Sequence, residues 1–264
     1  MTKNGVCMRA NISFVTVVVA VSTALSACGG GGGSDTDSGV CSTLKIAGGA
    51  ECPDAPNEIV VVRTSQGYCS GTFITPNKIL TAAHCFADGG TSARVLNQYF
   101  SYGSSRVQVH PSFNPNVISD QNDVAIITIA QNAPVNPVPI TTSRSTAAGD
   151  TVVTYGFGLD QSNDTYIGRI ESGEAPLKAT TLDVTAVSDF SVQSLSDGSG
   201  DTCQGDSGGS LLLDGNDGQP GVVAIVRAGP PACQPEGGPS DNTNLQAESV
   251  LSFVRSAAPG VNFN

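Results

Sequence analysis

Short runs of apolar and β-branched residues recur along the chain from residue 46 onward. They read EIVVV, CSGTFIT, KILTAA, RVQVH, DVAIITI, TVVTYGF, SLLL and GVVAIV, and clusters of Gly, Pro, Asn, Asp and Ser separate them. Short strands bounded by turn residues, without helical periodicity between them, are typical of a sandwich or barrel. Only residues 245–258, LQAESVLSFVRSAA, place apolar side chains on one helical face. The pattern predicts an all-β fold with one late helix.

The first residues follow a different pattern. Residues 1–27 contain Lys3 and Arg9 but no acidic residue, and the run ISFVTVVVAVSTALSA that follows them carries no charge. This layout is typical of an export signal, and the run is short for a membrane span. A retained anchor helix is the alternative. We therefore expect residues 1–27 to be a signal peptide that sends the chain to a compartment where cysteines form disulfides.

The end of that run resembles the lipobox of bacterial lipoproteins. It reads LSAC, and in such proteins the cysteine, here Cys28, is lipidated and becomes the mature N-terminus. The glycine run and the SDTDSG segment that follow have no apolar side chains to bury, which favours a flexible tether. The resemblance implies a lipoprotein exported from a bacterial cell and anchored to a membrane, either periplasmic or at the cell surface. Ordinary secretion is the alternative.

Composition narrows the range of partners. The 264 residues are 39% hydrophobic and 13% charged, with a net charge of -11. Removing the signal peptide would make the chain still more acidic. A net negative charge of this size argues against a nucleic-acid partner, because nucleic acid is itself negatively charged. A chain of this length can form a hydrophobic core without help from a second subunit, and we expect a monomer.

Candidate catalytic residues lie in three motifs. One of the two histidines, His84, ends the apolar run LTAAHC, and His110 lies in the turn VHPSFNPN. In CQGDSGGS, glycines flank Ser207 and allow a sharp turn that presents consecutive N–H groups. Asp123 opens the apolar strand of NDVAIITI, where a shielded carboxylate can orient an imidazole. The structural alternatives are a buried histidine, a Gly-Ser turn and a strand-end cap.

Together these motifs resemble the trypsin-like serine endopeptidases of the chymotrypsin family. The order His, Asp, Ser distinguishes that family from subtilisins and α/β-hydrolases, and VHPSFN and GFG extend the match. The resemblance implies a peptidase domain over residues 46–264 with two packed antiparallel β-barrels, a C-terminal helix and an active site between the barrels. It implies no cofactor. Because the segment after the first histidine is short for the family's calcium loop, we also expect no metal.

The resemblance assigns roles to individual residues. Ser207 would be the nucleophile, His84 the general base and acid, and Asp123 the residue that orients the histidine. The N–H groups of Gly205 and Ser207 would form the oxyanion hole. Two cysteine pairs match family positions, and with Cys28 assigned to lipid the two cysteines left in the exported part are expected to form a third pair. The expected disulfides are Cys69–Cys85, Cys203–Cys233 and Cys41–Cys52.

The segment LKIAGG resembles the family's activation site. Cleavage between Lys45 and Ile46 would create a new α-ammonium group that pairs with Asp206, so residues 28–45 would serve as both tether and activation propeptide. The resemblance therefore implies that the protein is made as a zymogen.

Asp201 lies at the position that forms the floor of the primary specificity pocket in trypsin. A carboxylate there favours cleavage after Lys or Arg in protein and peptide substrates. Gly229 would line one wall, and Gly238 and Ser240 are both candidates for the other.

One departure from the family bears on function. Arg227, Ala228 and Gly229 stand where the family usually reads Ser-Trp-Gly. Either the Arg227 side chain points outward or the cleft differs. Two alternatives follow: a catalytically inactive homologue that binds proteins, and an active protease with non-basic specificity in which Arg227 neutralises Asp201.

Overall fold

The structure is a computed structural model that describes residues 57–117, 122–159, 175, 177–196, 198, 200–230 and 238–264. Among these residues, no helix has the length and apolar character needed to cross a membrane. Several predictions fall outside the described residues. They concern the signal peptide and the tether, together with Cys28, Cys41, Lys45, Ile46, Cys52 and Cys233.

The first half of the described chain forms a closed antiparallel barrel. Its strands follow the order β1-β2-β3-β6-β5-β4 around the barrel. Their bounds are β1 Ile59–Thr64, β2 Gly67–Thr75, β3 Lys78–Thr81, β4 Arg94–Leu96, β5 Ser101–Val109 and β6 Ala125–Ile129.

The second half forms another closed antiparallel barrel and a helix. The strand order is β10-β11-β12-β9-β8-β7. The bounds are β7 Thr151–Gly156, β8 Lys178–Val187, β9 Ser191–Ser196, β10 Ser210–Asp214, β11 Pro220–Ala228, β12 Pro239–Asn244 and α1 Glu248–Ala257.

The near-continuous apolar runs arise because both faces of several strands are buried. In β1, Val60 and Val62 point into the first barrel, whereas Ile59 and Val61 pack against Tyr155 and its neighbours in the second. Each of these four β1 side chains is at most 1% exposed. A strand buried on both faces needs apolar residues at consecutive positions rather than at alternate ones. The two barrels are thus joined by a hydrophobic layer.

Helix α1 packs on a second apolar cluster shared by the two barrels. Its buried residues Val250 and Val254 belong to one apolar cluster with Leu80 and Ile126 of the first barrel and Ile225 of the second. The predicted all-β double barrel with a C-terminal helix is confirmed. The helix is shorter than the apolar pattern over residues 245–258 suggested, since it occupies only Glu248–Ala257.

Candidate active site

His84 lies in a single 3-10 turn, Ala83–Phe86, directly after β3. The predicted disulfide between Cys69 and Cys85 is present, with the two Cα atoms 6.4 Å apart, and it ties this turn to β2. The His84 side chain is 33% exposed, so its ring can be reached from solvent. The turn therefore presents one accessible imidazole on a covalently braced segment.

Asp123 holds the imidazole from behind. One carboxylate oxygen, Oδ2, lies 2.7 Å from His84 Nδ1, and the other, Oδ1, accepts a hydrogen bond from the His84 backbone N–H at 2.8 Å. The residue is only 2% exposed. Thr243 of β12 donates to the Asp123 carbonyl oxygen at 3.3 Å, so the second barrel contacts this segment as well. A carboxylate that accepts from Nδ1 leaves the lone pair of Nε2 available to bind a proton.

Ser207 lies in the loop before β10 and is half-buried. The next residue, Gly208, has φ +80°, and a Cβ atom there would lie 2.2 Å from Thr81 Oγ1 and 2.7 Å from the Ala82 backbone nitrogen. Only glycine permits this approach. Because Thr81 and Ala82 lead directly into the histidine turn, the close contact brings the serine loop against the segment that carries His84.

The loop around Ser207 exposes backbone donors. Gly205 has φ +96°. Within the described parts of the chain, no protein group accepts a hydrogen bond from the N–H of Gly205 or of Ser207. No hydrogen bond joins the Ser207 hydroxyl to the His84 ring among these residues either; such bonds are often long in unliganded sites and tighten when substrate binds. Two free N–H groups beside a serine are the arrangement that can hold an oxyanion.

Asp206 is completely buried behind this loop. Its carboxylate accepts hydrogen bonds from the N–H groups of Gly158 at 2.7 Å and Cys203 at 2.8 Å. Burial raises the pKa of Asp206 to about 6; these two bonds and the positive charge of Lys178 act in the opposite direction, while Asp201 raises it. A carboxylate in such a place has a strong requirement for a cation when it is ionised.

Asp201 is also fully buried. It accepts hydrogen bonds from the backbone of Gly238 at 2.9 Å, the backbone of Thr202 at 2.7 Å and the hydroxyl of Ser240 at 3.2 Å. Burial raises the pKa of Asp201, and these bonds lower it. Both candidates for the second pocket wall, Gly238 and Ser240, therefore contact this carboxylate. A Cβ atom at Gly229 would lie 2.6 Å from Thr202 Oγ1, so this position tolerates no side chain.

The Arg227 side chain is 8% exposed and forms an ion pair with Asp241 of β12. It also lines a pocket of about 170 Å³ beside the candidate catalytic pair, together with His84, Phe113, Asn114, Pro115, Val117, Asp123 and Ala228. The departure from the family pattern thus lies in the wall of this pocket, where the arginine is paired with Asp241.

His110 and Cys203, which the sequence also singled out, both lie in the described part of the chain. His110 is 7% exposed, its Nδ1 accepts from the Ser112 N–H at 3.1 Å, and its ring packs on Phe253 with centroids 5.0 Å apart. Its surroundings are those of a packed core histidine. Cys203 is in a disulfide, but the predicted pairing with Cys233 involves a residue outside the described ranges and stays a prediction.

One grouping of metal-ligand type occurs in the described residues, formed by Cys69, His84 and Cys85. Both sulfur atoms belong to the disulfide, and a disulfide has no thiolate to offer a metal ion. The expectation of no metal stays a prediction.

A family model described as Trypsin matches residues 46–249 of this chain. The chain belongs to the trypsin family. A trypsin from Saccharopolyspora erythraea is 27% identical over 226 residues, which cover 69% of this chain and 94% of the relative. Kallikrein-4 from Homo sapiens is 27% identical over 236 residues, 79% of this chain and 85% of the relative. Trypsin I-P1 from Gallus gallus is 30% identical over 193 residues, 65% of this chain and 75% of the relative. This trypsin-family protein is a serine endopeptidase.

Proposed function

We propose that this trypsin-family endopeptidase uses Ser207 as nucleophile, His84 as general base and Asp123 as the group that orients the histidine. The observation that carries the proposal is the pair of hydrogen bonds from His84 to the two Asp123 oxygens, at 2.7 and 2.8 Å. They fix the ring and place its proton on Nδ1, so Nε2 takes the proton when Ser207 attacks the peptide carbonyl. The buried carboxylate then stabilises the imidazolium.

The tetrahedral intermediate needs donors for its negative oxygen. The N–H groups of Gly205 and Ser207 serve this role, which agrees with their freedom from protein acceptors in the described residues. Each such donor contributes on the order of 10²- to 10³-fold in rate. His84 next gives its proton to the leaving amine, and a water molecule repeats the sequence on the acyl-enzyme with the histidine as base.

Cleavage after Lys or Arg is the proposed specificity. Asp201 supports it because the residue is fully buried and already accepts hydrogen bonds from Gly238, Thr202 and Ser240. A substrate cation adjacent to this carboxylate would offset the cost of burying its charge.

Activation by cleavage between Lys45 and Ile46 is the proposed control of this activity. Asp206 supports it, since the carboxylate is completely buried and its pKa is raised to about 6. Gly156 and Gly158 give it space, because a Cβ atom at either would lie within 2.2 Å of a carboxylate oxygen. Breaking a buried ion pair by loss of one partner costs about 3 to 5 kcal/mol, enough to order or disorder a loop. The new α-ammonium of Ile46 would thus order the oxyanion loop.

Export and membrane anchoring through a lipid on Cys28 complete the proposal. Cleavage after residue 45 would separate that anchor from the catalytic domain, and only a bridge between Cys41 and Cys52 would keep the two together. The cleaved Cys41→Ser protein should therefore appear in the soluble fraction of fractionated cells, while the cleaved wild type stays with membranes. Retention of the variant on membranes would contradict this role of the bridge.

The test of the catalytic proposal is hydrolysis of peptide p-nitroanilides by the cleaved protein. We expect turnover of lysyl and arginyl substrates, no turnover by Ser207→Ala, and a large loss for basic substrates in Asp201→Ser. N-terminal sequencing of the active protein should begin at Ile46. Turnover indistinguishable from Ser207→Ala would favour the inactive, protein-binding alternative. Turnover with specificity unaffected by Asp201→Ser would favour an active protease of non-basic specificity.

A further inference from the structure

Ser70 lies in β2 directly after Cys69 and is completely buried. Its backbone N–H donates to the carbonyl oxygen of Ser207 at 2.8 Å. Its hydroxyl donates to the carbonyl oxygen of Gly205 at 2.9 Å and accepts from the N–H of Phe157 at 3.0 Å. One residue of the first barrel therefore contacts both residues whose N–H groups are the proposed oxyanion donors.

The direction of each bond follows from the chemistry of the atoms. A carbonyl oxygen can only accept, so the single hydroxyl proton of Ser70 must point at Gly205. A backbone N–H can only donate, so Phe157 occupies a lone pair of the same oxygen. The hydroxyl thus links the serine loop to the segment after β7, the segment from which Gly158 donates to Asp206.

Gly205 is the residue whose orientation needs this support. With φ +96° and no side chain, its backbone has more conformational freedom than any other residue type would have. The peptide unit before it is held at the Gln204 oxygen, which accepts from the Leu159 N–H at 2.8 Å. The peptide unit after it is held at the Gly205 oxygen, by the Ser70 hydroxyl. Because the Gly205 N–H lies in the same planar peptide unit as the Gln204 oxygen, the first bond sets its direction, and the bond from Ser70 restricts the rotation about the Gly205 Cα that would turn it away.

We infer that Ser70 is a positioning residue for the oxyanion hole, acting through its hydroxyl on the peptide unit that follows Gly205. The inference rests on the proposed roles of Gly205 and Ser207. Ser70 does not touch substrate in this scheme; it holds a flexible glycine so that its N–H points at the developing oxyanion before the reaction begins, as preorganised stabilisation requires.

The test compares Ser70→Ala and Ser70→Gly with a matched control, Ser210→Ala. Ser210 is also completely buried, and its hydroxyl donates to Thr72 Oγ1 of the same strand β2 at 2.7 Å. The control therefore also removes a buried hydroxyl bond to β2, but not one to Gly205. All variants are made in the cleaved enzyme, and rates are expressed per active site counted by complete labelling with diisopropyl fluorophosphate. Ser70→Gly supplies the measurement if the alanine methyl impairs folding.

Two readouts separate positioning from folding. The first is kcat against KM for a peptide p-nitroanilide. The second is the affinity of a peptide aldehyde, which forms an oxyanion with the catalytic serine, against that of the matching peptide alcohol, which does not. Loss of a whole oxyanion donor costs about 10²- to 10³-fold, so we expect misorientation of one to lower kcat and aldehyde affinity by about 10- to 100-fold. KM and alcohol affinity should change less than about twofold. Ser210→Ala should retain wild-type kcat.

The inference and the proposed function fail in different ways. If wild-type protein hydrolyses the substrate and Ser207→Ala does not, but both Ser70 variants keep the wild-type kcat per site, the positioning role is wrong and the catalytic assignment stands. Equal losses of aldehyde and alcohol affinity would also overturn the positioning role. No turnover by the cleaved wild type would overturn the proposed function and this inference together.

Discussion

Replacement of Asp206 by Asn tests the proposed control of the uncleaved protein by this buried carboxylate. The side chain is completely buried, and its carboxylate is held by the N–H groups of Gly158 and Cys203 at 2.7 and 2.8 Å. Burial raises its pKa to about 6, from an ordinary value of 3.8. If the proposed cleavage creates the α-ammonium of Ile46, ionisation of this group carries a cost in the uncleaved protein that the cleaved enzyme should not have.

The size of the pH effect on stability follows from the shift in the pKa of Asp206. Each pKa unit corresponds to 1.36 kcal/mol, so a rise from 3.8 to about 6 corresponds to about 3 kcal/mol. Between these pH values the folded precursor keeps a proton that the unfolded chain has released. The contribution of Asp206 to the free energy of unfolding is therefore greatest below pH 3.8, falls as the pH rises to about 6, and is flat above that.

The assay is urea denaturation of the uncleaved protein between about pH 4 and 7, in a Ser207→Ala background that prevents self-cleavage. The substituted asparagine side chain would be neutral throughout this range, so Asp206→Asn should remove roughly 2 kcal/mol of pH dependence between pH 4 and 7, the part of the total that falls in this window, whatever its effect on absolute stability. Asp214→Asn is the control, because Asp214 is an exposed aspartate at the end of β10 and the change should leave the dependence intact. In protein cleaved at Ile46, the ammonium would lower the pKa of Asp206, and the same fall should disappear.

The assigned role of Asp206 is wrong if the free energy of unfolding of the uncleaved protein falls by the same amount between pH 4 and 6 with Asp206 or with asparagine in its place. It is also refuted if the cleaved and uncleaved proteins show the same pH dependence. The first result would mean that the carboxylate is not the titrating group, and the second that the new N-terminus does not reach it.

Two further changes test the surroundings of the site. The Cys69→Ala/Cys85→Ala double variant opens a loop whose ends are 16 residues apart, which should lower the free energy of unfolding by about 3 kcal/mol in urea denaturation; an unchanged midpoint would contradict the bracing role of the disulfide. Gly158→Ala places a Cβ atom 2.2 Å from a carboxylate oxygen of Asp206, so it should lower the free energy of unfolding by about 2 kcal/mol and remove most of the peptidase activity. The control Gly103→Ala meets no atom within 4 Å and should change neither the stability nor the activity.

The apolar pattern predicts the fold well where strands are buried on both faces and poorly where polar strands are buried. Strand β12 reads PSDNTN and has no apolar residue after Pro239, yet Asn242 and Thr243 are completely buried. The Asn242 amide donates to the Val192 carbonyl oxygen at 2.9 Å and to Ser194 Oγ at 3.0 Å. These β9 partners lie 48 to 50 positions away along the chain, so no local pattern reveals the strand.

The candidate site also contains residues that the sequence reveals and residues that only the folded chain reveals. His84, Asp123 and Ser207 stand in motifs that the sequence alone connects to a chemistry, and the structure brings His84 and Asp123 to 2.7 Å. Ser70 has no such signal, because its partner Gly205 lies 135 positions away and both are common residue types. The partner of Arg227 was equally hidden: its ion pair with Asp241 forms through the pairing of β11 with β12. Contacts set by strand pairing are therefore available only from the folded chain.

The proposed catalytic role of Ser207 is tested most directly by covalent labelling of the cleaved protein with diisopropyl fluorophosphate, followed by peptide mass spectrometry. We expect a single phosphorylated residue, Ser207, and the loss of that adduct in His84→Ala, because Nε2 must take the serine proton as the bond to phosphorus forms and fluoride leaves. Labelling at another residue, or labelling of Ser207 at the wild-type rate without His84, would contradict the proposed catalytic site.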